Sequence, residues 1–238
     1  MGIRWRSRQD CYSLYWGEHP VANRTDDERW TALPSDGSRR GMRKDKIRAA
    51  ATRLFAERGY EGTSMGDLAA EVGIRKASLF HHFESKQALY SDVLHTILAD
   101  IASAIVNSER VDMTIPARLD FISDAIVELF FSNPYSARVL FREAMNPQPE
   151  VEGTLFTALA PVNLAGMHFI EEGQAAGVFS RSFDAAHMMI SFVGIFGVPF
   201  SMPEVVNSLY GMSSFGPEFL EARKREVRMQ LRLLLLSR

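Results

Sequence analysis

From Lys46 onward the apolar residues recur at three- and four-residue steps, the period of an amphipathic helix, and no stretch alternates apolar and polar residues as a half-buried strand would. Ile47, Ala51, Leu54 and Phe55 share one stripe and predict a helix over 44–58, ended by Gly59. Ser64 with Asp67 three residues on has the capping-box spacing, Leu68, Ala69 and Val72 share one face, and Gly73 stops the run. A second short helix then carries Leu79, Phe80 and Phe83 inward and leaves Arg75, Lys76, Ser78, His81 and His82 for its other face. Ser85 is the N-cap of a long helix with Ala88, Leu89, Val93, Ile97, Leu98, Ile101 and Ile105, which connects this unit to the remainder of the chain.

The rest of the chain is helical by the same criterion. Segments at 116–132, 134–145, 151–176, 183–200 and 217–237 show the helical period, separated by Asn133-Pro134, by the Asn-Pro-Gln-Pro run at 146–149 and by the joint at 175–184. Pro116, Pro134 and Pro217 sit at helix starts, where proline is tolerated. Pro161 falls inside a helical pattern and predicts a kink or a split. The expected fold is therefore all-α: an N-terminal three-helix helix-turn-helix domain (42–90), joined by a long helix to an all-helical domain (91–238). Residues 1–41 have no period, scatter Trp5, Trp16 and Trp30 among polar residues, and carry a loop signal at Pro34, Ser35, Asp36 and Gly37. Two readings stand for them. They are a disordered extension upstream of a true start at Met42, or an arm whose Arg39, Arg40, Arg43 and Lys44 reach phosphates or an adjacent groove.

Helix, glycine turn, short polar-faced helix is the pattern whose second helix enters the DNA major groove. That geometry makes Lys76, Ser78 and His81, with Arg75, the candidates for reading base edges. The run KIRAAATRLFAERGYEGTSMGDLAAEVGIRKASLFHHFESKQALYSDVL from Lys46 resembles the N-terminal domain of the TetR family of bacterial transcriptional regulators over roughly fifty residues. The match rests on several elements in order, "LFAERGYEGTS", "LAAEVGI" and "SLFHHFESKQAL", rather than on a lone helix-turn-helix. The resemblance implies that Thr63, His82 and Lys86 grip phosphates, and it brings Ser64, Ala77 and Leu79 into the same DNA-facing set. Two positions depart from the family pattern. Arg75 stands where a small capping residue is usual, so a cap is lost and a cation gained. His82 stands where tyrosine is usual, which makes its phosphate contact sensitive to pH.

Charge is distributed to match. The chain has a net charge of −2, but residues 42–90 hold 9 Lys+Arg against 6 Asp+Glu, and residues 91–238 hold 11 against 17. A basic module beside an acidic bulk suits a protein in which one part meets phosphate. The single Cys11 excludes an intrachain disulfide framework and a cysteine-rich zinc site. Arg4, Arg6 and Arg8 are followed by Asp10 rather than an apolar core, unlike a signal peptide, and the longest apolar run, 188–200, is short for a membrane span. A cytoplasmic, DNA-associated protein without a membrane contact is expected. No nucleophile elbow, phosphate loop, dinucleotide fingerprint or H-E-x-x-H occurs, and His81 and His82 point about 100° apart on a helix, so neither an enzyme, a metal nor a cofactor is expected.

Phe and Met are abundant between 116 and 196. Most of them must be core, but TetR-like proteins hold a small effector in a cavity of this half, and Met and Phe suit an adaptable apolar pocket. The candidate lining is Phe121, Phe141, Met145, Asn163, Met167, His168, His187 and Phe192, with Glu143, Asn163, His168 and His187 as the polar groups. A small uncharged or amphipathic organic effector is expected, which releases the protein from DNA; a ligand-free regulator and an activator are the alternatives. The segment opening at Phe183 and closing at Phe200 is apolar almost all round, with Ser191, Gly194 and Gly197 at three-residue steps. The segment from Pro217 to Ser237 puts Phe219, Leu220, Val227, Leu231, Leu234 and Leu235 near one face. Resemblance implies that these two segments form a four-helix interface in a homodimer on an inverted-repeat operator; a buried helix pair within one chain is the other reading.

Overall fold

A capping box, a left-handed glycine and a second cap fix the N-terminal half. The computed structural model describes residues 36–109 and 112–237, with side chains from Arg43 onward. The expectations for residues 1–35, including the three tryptophans, and for the side chains of Arg39 and Arg40, lie outside the described residues. Helix α1 (Asp36–Arg58) begins two turns before the expected start, because no proline interrupts it between Asp36 and Arg43; the loop signal therefore ends before Asp36. Helix α2 (Met65–Val72) opens on Ser64, whose Oγ accepts from Asp67 N–H while the Asp67 carboxylate accepts from Ser64 N–H. Gly73 closes it at φ 71°, a left-handed conformation that costs glycine little. Helix α3 (Lys76–Phe80) and helix α4 (Lys86–Ser108) come next, the second capped by Ser85.

The second half contains α5 (Ile115–Ser132), α6 (Ser136–Met145), a 3-10 turn (Pro149–Val151), α7 (Thr154–Ala175) and α8 (Ala185–Phe192). A π-turn (Val193–Gly197), α9 (Val198–Ser201), α10 (Pro203–Tyr210) and α11 (Pro217–Leu235) complete it. Among the described residues the sole sheet-type pairing is an isolated antiparallel bridge, Phe179 with Leu236. Pro134 lies two residues ahead of α6 rather than at its first position. Pro161 does not split α7: the carbonyl it leaves free belongs to Thr157, which is exposed and can meet water. Helix α10 was not legible in the sequence. It leaves α8–α9 at an 80° bend, buries none of its residues and is fastened by the ion pair of Glu204 with Arg138 on α6, 2.6 Å apart.

Two apolar cores meet on α4. Leu89, Tyr90, Val93, Leu94 and Ile97 join α1, α2 and α3, while Leu98, Ile101 and Ile105 join α5, α7 and α11. The change of core falls at Ile97–Leu98, inside the helix, so α4 is a shared beam within the compact unit from Gly41 onward. By length and hydropathy α4 is the one described helix apolar enough to cross a membrane, and α8 to α10 pass the same test as a bent pair. Yet α4 packs along α5 and α7 with ten of its residues buried. Its apolarity is what a helix inserted between two cores requires.

An ion-pair ladder sets the register of α11 on α5. Asp120 meets Arg232 at 2.6 Å and Asp124 meets Arg228 at 3.0 Å, while Glu128 pairs with Lys224, so four-residue steps along α5 run antiparallel to four-residue steps along α11. Beneath it Val227, Leu231 and Leu235 are buried, and Met229, Leu233 and Leu234 remain exposed.

Candidate nucleic-acid interface and effector cavity

Helix α3 is short, and its length decides which side chains can face a partner. Leu79 is fully buried and Phe83, four residues on, joins it in the N-terminal core. Phe80 is 43% exposed, contrary to the inward placement read from the sequence. Phe80 points about 100° away from Leu79 and falls outside the narrow face that this short helix buries. Arg75, Lys76, Ala77 and His81 are exposed, and Ser78 and His82 are half-buried, so six of the expected DNA-facing residues are at least partly accessible. Arg75 is the helix N-cap and makes no side-chain capping bond, as expected from its replacement of a small polar residue. Lys76 Nζ lies 6.0 Å from the centre of the Phe80 ring, so its charge has a soft aromatic rest beside the interface.

Three members of the expected set are placed otherwise. Leu79 is core. Thr63 is buried, and its hydroxyl donates to the carbonyl of Gly59 at 2.9 Å, closing the turn between α1 and α2. Lys86 is half-buried, donates to the carbonyl of Tyr60 at 3.0 Å and rests 4.0 Å over the Tyr60 ring. Ser64 is exposed but occupied in the capping box, where its hydroxyl also donates to Asp67 Oδ2 at 2.7 Å. Those bonds hold the Asp67 carboxyl below the usual carboxylate range. Thr63 and Lys86 thus fasten the scaffold that carries α3.

The scaffold is braced by charge as well. Asp92 on α4 accepts from Lys44 at 2.8 Å and Arg48 at 2.7 Å, both on α1. Burial pushes the Asp92 carboxyl up, but the bonds from Arg48 and Lys44 outweigh it and hold it below the usual range.

In the second half a cavity of ≈ 230 Å³ opens between α4, α5, α6, α7, α8, the π-turn and α11. Every side chain lining it is apolar. Of the expected lining, Phe141 and Phe192 are there. Phe121, Met145, Asn163, His168 and His187 are exposed elsewhere (Met145 at 77%), and Met167 is half-buried away from the cavity. Glu143 is buried but turns to the N-terminal core, where it accepts from the Tyr90 hydroxyl at 2.9 Å and from Gln148 N–H at 3.2 Å. The lining missed by sequence reasoning includes Leu98, Ile101 and Ile105 of α4. Their signal was present: α4 has more apolar residues than one packing face needs.

Helix α6 touches both the cavity and the N-terminal core. Leu140, Phe141 and Ala144 line the cavity, while Val139 is buried in the N-terminal core and Arg142 Nη2 donates to the carbonyl of Ala56 near the end of α1 at 3.1 Å.

Among the described residues no group of three His, Cys, Asp or Glu side chains converges as a metal site would require. What the geometry defines is a helix-turn-helix unit carried by a helical body that holds an apolar cavity. Residues 47–93 match the sequence model of the bacterial regulatory proteins of the tetR family. The negative transcriptional regulator IcaR of the biofilm operon icaADBC from Staphylococcus aureus (strain Newman) is 36% identical over 87 residues, covering 36% of this chain and 47% of that protein. The transcriptional activator FasR from Mycolicibacterium smegmatis is 27% identical over 133 residues, 53% of this chain and 61% of that one. The chain thus spans about half the length of the curated relatives it matches. Likeness of fold extends further. The fatty acid degradation regulator FadR from Bacillus halodurans superposes with a TM-score of 0.67 over 85% of this chain and 97% of that one at 16% identity. The ketosteroid regulator KstR2 of Mycobacterium tuberculosis superposes with a TM-score of 0.59 over 87% and 100% at 19% identity.

Proposed function

We propose that this chain is a DNA-binding transcriptional regulator, not an enzyme, that works in the cytoplasm as a homodimer and is released from an inverted-repeat operator by a small apolar effector. The observation that carries the reading is the exposed surface of Arg75, Lys76, Ala77 and His81 on α3, with its supports locked by Thr63, Lys86 and Asp92. A helix so presented meets base edges in the major groove, and exposed cations beside it meet phosphates. The division of labour is that 42–90 contacts DNA, 91–238 binds the effector and the second copy, and 1–41 is dispensable for both.

Release needs a ligand that binds better to the form whose recognition helices are misplaced, since a ligand without differential affinity shifts nothing. Two elements supply the connection. Helix α4 belongs to both cores, and α6 lines the cavity while holding the end of α1. A ligand pressing on Phe141 or Leu140 moves α6, and with it the turn that leads to α2 and α3. The same geometry serves an activator, as FasR is named, with operator position deciding the sign.

The test is a gel-shift titration on DNA from around the chain's own gene, repeated with a thermal-shift hit present. Sequence-selective retardation that the hit weakens supports the reading, and salt-sensitive binding with no preference among sequences removes it.

A further inference from the structure

We propose that the cavity takes a single unbranched hydrocarbon chain of medium length, the tail of an amphiphile whose polar head stays at the surface. The proposal deepens the regulatory reading above and rests on it only for what binding does to DNA affinity.

Chemistry of the lining comes first. No lining side chain offers a hydrogen bond or a charge, so a ligand with a buried hydroxyl, amide or carboxylate would lose its water without replacement. Arg118, beside the lining residue Leu119, is not itself part of the lining: it lies 5.0 Å over the Phe169 ring and its Nη1 pairs with Glu172 at 2.9 Å, while its buried Nη2 makes no hydrogen bond.

Shape narrows the class further. Lining residues Leu155 and Phe169 are about four turns apart on α7, roughly 20 Å of helix. A volume of ≈ 230 Å³ spread along such a length suits an extended chain better than fused rings. An apolar cavity of about 150 Å³ accommodates benzene, which scales here to roughly nine or ten carbon atoms. The exposed members of the lining, Ala144 on α6 and Val193 on the π-turn, mark where the cavity opens and where a head group meets water.

Recognition by area alone predicts a length series. With straight-chain fatty acids of six to sixteen carbons as probes, calorimetry on the full chain should show affinity rising about fourfold per added methylene and then falling once the cavity is full. Methyl esters should follow the same series as the acids, because the head lies outside. Ala144→Phe, at the open end, should lower affinity for the best chain by at least tenfold while its melting temperature without ligand stays that of the parent. A flat series, equally tight binding of a fused-ring steroid, a strong preference for one head group, or no binding of any chain would each overturn the proposal. Operator binding by the unliganded chain is measured separately, so its failure would count against the regulatory reading and leave the length series to decide the cavity.

Discussion

Arg142 donates its guanidinium to the main-chain carbonyl of Ala56 at 3.1 Å, so a residue of the cavity-lining helix caps the helix that begins the DNA-binding unit. The last carbonyls of a helix lack intrahelical donors, and a cation there also meets the negative end of the helix dipole. Phe141 and Arg142 are neighbours on one helix, so a ligand at Phe141 that shifts the α6 backbone carries Arg142 with it. Arg142→Ala should leave ligand affinity within about twofold but reduce the ligand's effect on DNA binding by about 1 kcal/mol, a substantial share of a typical coupling energy. DNA titrations with and without ligand, for both proteins, measure that difference directly. Full coupling in the variant would place transmission in α4 alone.

The bond from Tyr90 to Glu143 is another tie between the halves, and it is buried. Tyr90→Phe removes the donor to Glu143 Oε2 and should cost about 1–3 kcal/mol in thermal unfolding. Glu143→Gln keeps an acceptor and should cost less. Burial first, then the hydrogen bond to Glu143 and that carboxylate's charge, push the Tyr90 hydroxyl far above the usual tyrosine value. A group whose folded pKa is raised gives stability that is full below its unfolded pKa and lost above it, so stability should decline as pH rises beyond about 10. Tyr90→Phe should flatten that alkaline limb. Equal losses in the two variants, or an unchanged limb, would show that the bond is incidental.

Asp92 governs the acid side. Its folded pKa lies below the unfolded value despite burial, because Arg48 and Lys44 bond to the charged form. Such a group contributes stability that is present above about pH 4 and is lost as pH falls through the folded pKa. Asp92→Asn should therefore lower stability at pH 7 by about 1–2 kcal/mol, and the gap from the parent should close as acid unfolding is tracked below pH 4. A gap that stays constant to the lowest pH would assign the loss to packing.

On DNA, the two lysines of the recognition region should separate. Lys76 is exposed at the start of α3, so Lys76→Ala should cost about 1–3 kcal/mol on the specific site with little change in melting temperature. Lys86 bonds to the Tyr60 carbonyl and covers its ring, so Lys86→Ala should lower the melting temperature as well as weaken all DNA sequences alike. Footprinting and thermal unfolding on both variants distinguish the roles. A Lys86 variant that keeps its stability would return that residue to the phosphate set alone.

Elements with local causes were legible in the sequence. The Ser64–Asp67 box, Gly73 and the Ser85 cap rest on residues within four positions of one another, and each stands where the spacing put it. Side-chain direction was legible only where the helix was long enough to average over errors. The short α3 split Leu79 from Phe80, and tertiary bonds drew Thr63 and Lys86 away from the expected surface. The cavity was the hardest part, since an apolar residue facing a void and one facing a core have the same pattern. His168 and His187 were attractive as polar anchors by type, yet the cavity uses none. The π-turn was hidden too. Pro199 cannot donate to Ile195, whose carbonyl instead accepts from Arg223 on α11, twenty-eight residues away. That extra residue per turn carries Gly197 inward against Phe141 and leaves Ser191 and Gly194 exposed, so the three small residues do not form one stripe.

The last prediction concerns the second copy. Removing everything after Gly177 is a poor test of the interface, because Ser180 N–H bonds to Leu235 O, Ser237 N–H bonds to Val178 O, and Val227, Leu231 and Leu235 fill the core. The informative residues are those that the single chain leaves uncovered: Leu233 and Leu234 on α11 and Ile190 on α8, at 72%, 47% and 69% exposure. Exposed apolar side chains in such number on segments that also bury a stripe inward mark a surface made for association. A twofold interface is self-complementary, so each substitution acts twice in the dimer. Leu233→Lys places two like charges at one interface and should shift sedimentation at micromolar concentration from dimer to monomer, while circular dichroism stays helical. Operator affinity should fall with it, since one half-site supplies only part of the contact. Dimers that persist in the Leu233 variant, with DNA affinity unchanged, would move the interface to the uncovered face of α10, where Val205 and Leu209 lie.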